Sequence, residues 1–197
     1  MYDVQVEIRV NFLEAYQLNL FTGIEIPKSA KLKSLIMDAD ALVQWKTRVA
    51  AHQQRTREVR FVQGTLFEAA KAHIDPDKIE PFNLCLCPMS FYRLPVDSPG
   101  TACIYFVIDS AAQLVLYIGE TSKSNERWKG THDCKRYLDK YQSLHYQHGL
   151  SCAVNIAFWW DAPVQTRARQ QLELSLIQKW QPPFNKENWT LWGAPFV

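Results

Sequence analysis

No apolar run in the 197-residue chain approaches the ~20 residues a membrane-spanning helix needs. Asp3, Glu7 and an alternating polarity at the start argue against a secretory signal, so a cytoplasmic protein with no membrane partner is expected. An excess of one charge is also missing. Lys and Arg total 22 against 20 Asp and Glu, a formal net charge of +2, so a surface for a polyanion must be a local patch. Cys85, Cys87, Cys103, Cys134 and Cys152 are odd in number and unpatterned for disulfides. Only Cys85 and Cys87 are close, without the second pair a zinc site would show, and all five are expected to be reduced. Internal repeats and low-complexity tracts are absent, and the length suffices for a substantial core in one domain or two small ones.

Two tyrosine signatures stand out, Cys103-Ile104-Tyr105 and Tyr117-Ile118-Gly119. Residues 103 to 109 and 113 to 119 are rich in β-branched and aromatic side chains, and Ser110-Ala111-Ala112 reads as a hairpin loop. A loop centred on Ala111 sets Tyr105 directly opposite Tyr117 on one face, with Val107, Val115, Asp109 and Gln113. The opposite face then carries Ile104, Phe106, Ile108, Leu114, Leu116 and Ile118 and is expected to be the core side, leaving the mixed tyrosine face to floor a cleft.

Further along, Ser124 to about Tyr146 reads as a polar helix whose Lys129, Lys135, Arg136 and Lys140 form either a solvated face or a track for a phosphate backbone. Cys152 to Trp160 reads as a third strand. Pro163 suits the first turn of a helix buried along Leu172, Leu176, Ile177 and Trp180, which Pro182 and Pro183 end. Before the hairpin, Tyr2 to Phe12 alternates as a half-buried strand, and Ser29 caps a long helix to about Arg57. Leu32, Leu35, Ile36, Ala39, Leu42, Val43 and Ala50 share one face of that helix, with Lys33, Arg48 and Arg55 opposite. A shorter helix around Thr65 to His73 and an irregular stretch from Asp75 to Pro99 complete this half. At the other end, Trp189, Trp192 and Phe196 either stack on bases or lock the terminus onto the core.

The two signatures resemble those of the GIY-YIG nuclease family. Arg127 stands ten residues after Tyr117, and Asn185 twelve after Glu173, as in that family's pattern; the likeness covers about residues 101 to 188. It implies an α+β fold: a small three-stranded antiparallel sheet flanked by helices, preceded here by a mixed α/β extension. The expected division is 1–95 for that extension, a candidate substrate-selecting part, and 96–197 for the nuclease-like domain with its aromatic tail.

The resemblance also implies roles. Glu173 would hold Mg²⁺ or Mn²⁺, a hard cation that accepts one carboxylate and leaves room for water and phosphate. Arg127 would pair bidentately with the scissile phosphate. Tyr105 would be the general base and Tyr117 its hydrogen-bonding partner, which requires a nearby cation because a free phenol has a pKa of roughly 10. Asn185 would orient a tyrosine or Glu173. Lys129, His132, Lys135 and Arg136 are expected to contact DNA. Taken alone, each site residue has a plainer account: strand aromatics, an Arg169–Glu173 helix ion pair, a turn asparagine.

Three departures from the pattern stand beside these. Cys103 replaces a glycine, His132 falls one residue late, and Glu120 follows Gly119, either repelling DNA or offering a second metal ligand. The expected function is a divalent-metal-dependent DNA endonuclease, working as a dimer if it makes double-strand breaks. The alternative is a non-catalytic module of the same fold that binds nucleic acid or protein.

Overall fold

The computed structural model describes residues 37–58, 74–88, 101–124, 133–194 and 196. The expected strand Tyr2–Phe12, the Ser29 cap and the helix around Thr65–His73 lie outside these residues, as do Arg127, Lys129 and His132. All described residues fall in one compact unit, Ser34–Val197. The chain runs through α1 (Ala39–Glu58), single 3₁₀ turns at Pro76–Lys78 and Pro81–Asn83, β1 (Leu86–Pro88), β2 (Cys103–Asp109) and β3 (Leu114–Thr121). It continues through α2 (Asp133–Gln147), β4 (Val154–Trp159), α3 (Thr166–Trp180), a 3₁₀ turn at Lys186–Asn188 and the short α4 (Trp189–Trp192). Among the described residues no helix is long and apolar enough to cross a membrane.

The fold is α+β, with one antiparallel sheet in the order β1-β4-β2-β3 flanked by helices. Among the described residues the sheet has four strands where three were expected. The extra strand, β1, comes from the stretch read as irregular, because three residues ending in proline carry no alternation to recognise. Pro88 is tolerated since, among the described residues, β1 pairs only with β4 and lies at the sheet edge.

Helices cover both faces of the sheet. On one, Leu42, Trp45 and Val49 of α1 and Tyr137, Leu138 and Tyr141 of α2 pack with Tyr105, Val107 and Phe158. On the other, Leu172, Leu176, Ile177 and Trp180 of α3 pack with Ile104, Phe106, Ile108, Val115 and Ile118. Burying each large apolar side chain contributes about 1.5–3 kcal/mol. β2 is buried at every position, so the tyrosine face is a second core rather than an open floor. A strand buried on both faces reads as a continuous apolar run, and Ile-Tyr-Phe-Val-Ile is one. In α1, Asp38 Oδ1 accepts the Ala41 N–H at 2.8 Å, and Val43, expected in the buried stripe, is exposed.

The hairpin register also differs from expectation. Tyr105 pairs with Gly119 and Val107 with Tyr117, while Ile108 pairs with Val115, leaving Leu116 as the extra residue of a β-bulge. The bulge turns Leu114 and Leu116 into the tyrosine-side core and Val115 into the other, the reverse of a regular strand. The loop is correspondingly longer, with Asp109 paired to Leu114 and Gln113 in the left-handed region at φ 53°.

At the hairpin's loop end, Asp109 is fully buried. Its carboxylate accepts from the Tyr141 hydroxyl at 2.7 Å and from the Ala153 and Ala111 N–H groups at 3.0 and 3.1 Å, with the Lys46 ammonium at 3.3 Å. Burial alone would raise its pKa; the bonds from Tyr141 and Ala153 and the Lys46 charge outweigh that and lower it. His145 Nδ1 lies 2.8 Å from the Tyr141 carbonyl, so it donates there and leaves Nε2 to accept from Lys46 Nζ at 2.9 Å. Burial, reinforced by Lys46, lowers the His145 pKa.

Because the folded state holds His145 neutral, the unfolded chain gains a proton first as pH falls below about 6.5, and stability falls with it. The Asp109 contribution is complete above about 3.9 and is lost as pH drops through its depressed folded value. Thermal melts from pH 8 to pH 3 should show both losses. His145→Gln should shrink the first, leaving the part owed to His52, whose pKa burial also lowers. Asp109→Asn should cost about 1.5–3 kcal/mol near pH 7 and flatten the acid limb; an unchanged profile would refute this account.

Candidate active site

Among the described residues β3 is an edge strand, so half of its backbone N–H and C=O groups face away from β2 and need partners. Side chains and one loop supply them. α3 ends at Gln181, whose left-handed backbone (φ 46°) turns the chain, and Pro182-Pro183 send it back along β3. The Phe184 N–H then donates to the Leu116 carbonyl at 2.9 Å. The Asn185 amide makes two bonds to one residue: Oδ1 accepts the Ile118 N–H at 3.0 Å and Nδ2 donates to the Ile118 carbonyl at 2.9 Å. Two residues on, Glu173 Oε1 accepts the Glu120 N–H at 3.1 Å. Asn185 and Glu173 are thus fastened to the backbone on either side of Gly119.

These contacts open onto a cleft of about 500 Å³ lined by Tyr117, Glu173, Asn185, Asp133, Tyr137 and Lys186 among others. Tyr117 is half-buried there, whereas Tyr105 lies behind it at 0% exposure. The two rings stack with centroids 6.0 Å apart and planes 27° from parallel. Gly119 sits directly under the Tyr105 ring, and a Cβ there would collide with its Cζ and Oη. The glycine of the second signature is therefore needed for space.

Glu120 is neither a bare repulsive charge nor turned to the cleft. Arg169 Nε donates to its Oε2 at 2.5 Å, while Arg169 Nη1 donates to the Pro163 and Val164 carbonyls at 3.0 and 2.9 Å. Arg169, read from the sequence as a helix partner of Glu173, is buried and turned to β3. Cys103 is buried nearby, and burial pushes its thiol up to about 12, which keeps it neutral. All five cysteines are free thiols.

The structure brings Tyr117, Glu173 and Asn185 onto one cleft with Tyr105 behind them; Arg127, Lys129 and His132 lie outside the described residues. Arg136 is exposed, 3.8 Å from Asp133, and Lys135 is half-buried. The aromatic tail packs inward: Phe196 meets Trp45, Tyr141 and Phe184, Trp189 meets Tyr137, and Trp192 Nε1 donates to the Gln181 carbonyl at 2.7 Å.

Sequence reasoning missed Gln53, whose amide accepts the Val115 N–H at 2.8 Å and donates to the Val115 and Trp180 carbonyls at 2.9 and 3.1 Å. A polar residue in step with Leu42, Trp45 and Val49 on the buried stripe was the available signal. It also missed the Lys186–Asp133 pair, 2.8 Å apart at the cleft. Asp109, His145 and Cys152 present donors within 4.8 Å of one another, but at the far end of β2, where the Lys46 ammonium already supplies positive charge.

Residues 101–188 match the family model described as the GIY-YIG catalytic domain. That segment is similar to the GIY-YIG catalytic domain, in agreement with the resemblance carried by the two tyrosine signatures. No curated protein and no solved structure matches the chain.

Gly119→Ala should displace the Tyr105 ring from its stack on Tyr117 and cost about 1–3 kcal/mol, read by urea unfolding. A variant as stable as wild type, with unchanged near-ultraviolet circular dichroism, would contradict the close contact.

Proposed function

We propose that the chain is a divalent-metal-dependent DNA endonuclease whose reaction takes place in the cleft at the β3 edge. The observation that carries this reading is the convergence of Tyr117, Glu173 and Asn185 on one cleft of a GIY-YIG domain, with Tyr105 stacked behind them. The charged side chains of the cleft also suit the metal. Its carboxylates, Glu173, Asp133 and Glu187, are hard oxygen donors of the kind Mg²⁺ or Mn²⁺ prefers, with Glu173 the principal ligand. When bound, such an ion neutralises phosphoryl charge and makes water easier to deprotonate.

The protein's own groups then divide the work. Glu173 is held in place by the Glu120 N–H, so its carboxylate meets the metal preorganised. Arg127 clamps the scissile phosphate through its planar guanidinium. The two phenols act as a unit in proton transfer, Tyr117 meeting the substrate side and Tyr105 buried behind it. Asn185 positions Tyr117 through the backbone of Ile118. Lys135 and Arg136 contact phosphates flanking the cut. The Arg169 pairing removes the charge-based reason for an inactive module, because Glu120 is neutralised within the protein.

Purified protein should cleave plasmid or branched oligonucleotides in Mg²⁺ or Mn²⁺ and not in EDTA. Glu173→Ala should lower cleavage by at least about 10²-fold and abolish the Mn²⁺-induced rise in melting temperature. Arg127→Ala should abolish cutting at an unchanged melting temperature. Metal-dependent cutting retained in Glu173→Ala would overturn the metal assignment, and no cutting of any substrate would overturn the catalytic reading.

A further inference from the structure

The tyrosine pair is half of a longer row of rings. Tyr105 pairs directly with Phe158 across β2 and β4, on the same face of the sheet. Beyond Phe158, at the end of β4, Trp160 stacks on it with centroids 5.0 Å apart and planes only 19° from parallel. Four aromatic side chains thus run across three neighbouring strands: Tyr117, Tyr105, Phe158, Trp160. Burial is deepest in the middle, at 0% exposure for Tyr105 and 7% for Phe158, and Trp160 is 41% exposed. An indole stacked on a fixed phenyl ring, with much of its surface in solvent, is held rigidly yet remains open to a further π-system.

We propose that Trp160 is a stacking platform for an unpaired nucleobase of the DNA bound in the cleft, so that the preferred substrate has a single-stranded segment beside the cut. The proposal rests on the nuclease reading and extends it to a substrate class. Three features carry it. Trp160 continues the ring row that begins at the cleft, two strand spacings from β3. With the further offset along the strands, from the level of Val107 opposite Tyr117 to two residues past Phe158, the separation is about 16 Å, the axial rise of about five stacked nucleotides. Lys123 is exposed and leaves the same end of the sheet, since Cys103 pairs with Thr121 and Ile104 with Trp159; it supplies a phosphate contact along the way. Beside Trp160, the exposed Asp161 has the wrong sign for phosphate, which assigns Trp160 to a base and not to the backbone. Only an unpaired base presents a π-face for this, because in duplex DNA both faces are occupied by neighbours.

The test uses the full chain in EDTA, so that binding is read without cleavage. Anisotropy would measure affinity for a labelled flap oligonucleotide and for a fully paired duplex of the same sequence. A second flap would carry 2-aminopurine in its unpaired arm, whose fluorescence falls on stacking. Trp160→Ala should weaken flap binding about ten-fold, leave duplex binding within about two-fold, and abolish the 2-aminopurine quenching. Trp160→Phe should retain most of both, and it preserves the contact with Phe158 if the alanine variant fails to fold. Equal losses on flap and duplex, or no loss on either, would overturn the platform while leaving the nuclease reading intact. Self-association lost in Trp160→Ala, with flap affinity unchanged, would instead make this a protein-binding surface and overturn it too. A wild-type protein that binds no oligonucleotide would overturn both readings together.

Discussion

An edge strand cannot leave its outward backbone groups unpaired in a buried setting, and β3 is such a strand carrying the site's central residues. Three side chains resolve the conflict. Gln53 from α1 takes the N–H and C=O of Val115, Asn185 takes those of Ile118, and Glu173 takes the N–H of Glu120. A primary amide has one acceptor and one donor at the spacing of a peptide group, so glutamine and asparagine can each stand in for a missing strand residue. An aspartate at 185 could accept from Ile118 but not donate back. The geometry of the site follows from this requirement: the groups that complete the strand are those that fasten α1, α3 and the Phe184–Asn185 loop to it. Gln53 also binds the Trp180 carbonyl, one of the orphan acceptors at the end of α3, so a single buried amide joins α1, β3 and α3.

The charges inside the molecule obey the same economy of partners. Glu120 places a carboxylate next to the strand that borders the cleft, and Arg169 pairs with it from the far side. The Arg169 guanidinium is in turn held by two carbonyls just before α3, so it neutralises Glu120 and fixes the entry to the helix that bears Glu173. Asp109 and Lys46 make the corresponding pair at the other end of β2, tying α1 to the hairpin loop and, through Tyr141, to α2. Burying these ions costs desolvation that the pairing only offsets, so their value lies in fixing where the helices sit rather than in net stability.

Much of this was legible in the sequence because it depends on local pattern or on spacing. The α+β order of hairpin, helix, strand and helix follows from apolar periodicity and the two prolines after Trp180, and the family likeness rests on the Tyr117–Arg127 and Glu173–Asn185 intervals. What escaped depends on tertiary context. β1 is three residues long and exists because β4 offers it a partner. Gln53 and Arg169 look like ordinary polar helix residues until the strand they serve is in place. The register failed for a related reason. Ile104 to Ile108 is apolar on both faces, so alternation did not distinguish a regular hairpin from a bulged one, and the extra residue at Leu116 left no mark in the sequence.

That bulge also explains why two tyrosines from matching signatures have different surroundings. In a regular hairpin with Tyr105 opposite Tyr117, both rings would lie at the same depth on the same face, and neither would be nearer the cleft. With Leu116 inserted, adjacent residues Leu116 and Tyr117 turn to one side; the leucine fills the core, and the tyrosine reaches the strand edge where the cleft opens. Tyr105 pairs instead with Gly119, whose missing side chain lets the ring lie flat against the backbone and stack on Tyr117 from behind. The bulge separates the phenols into a buried member and a cleft member, and Asn185, bonded to the residue between Tyr117 and Gly119, holds that separation in place.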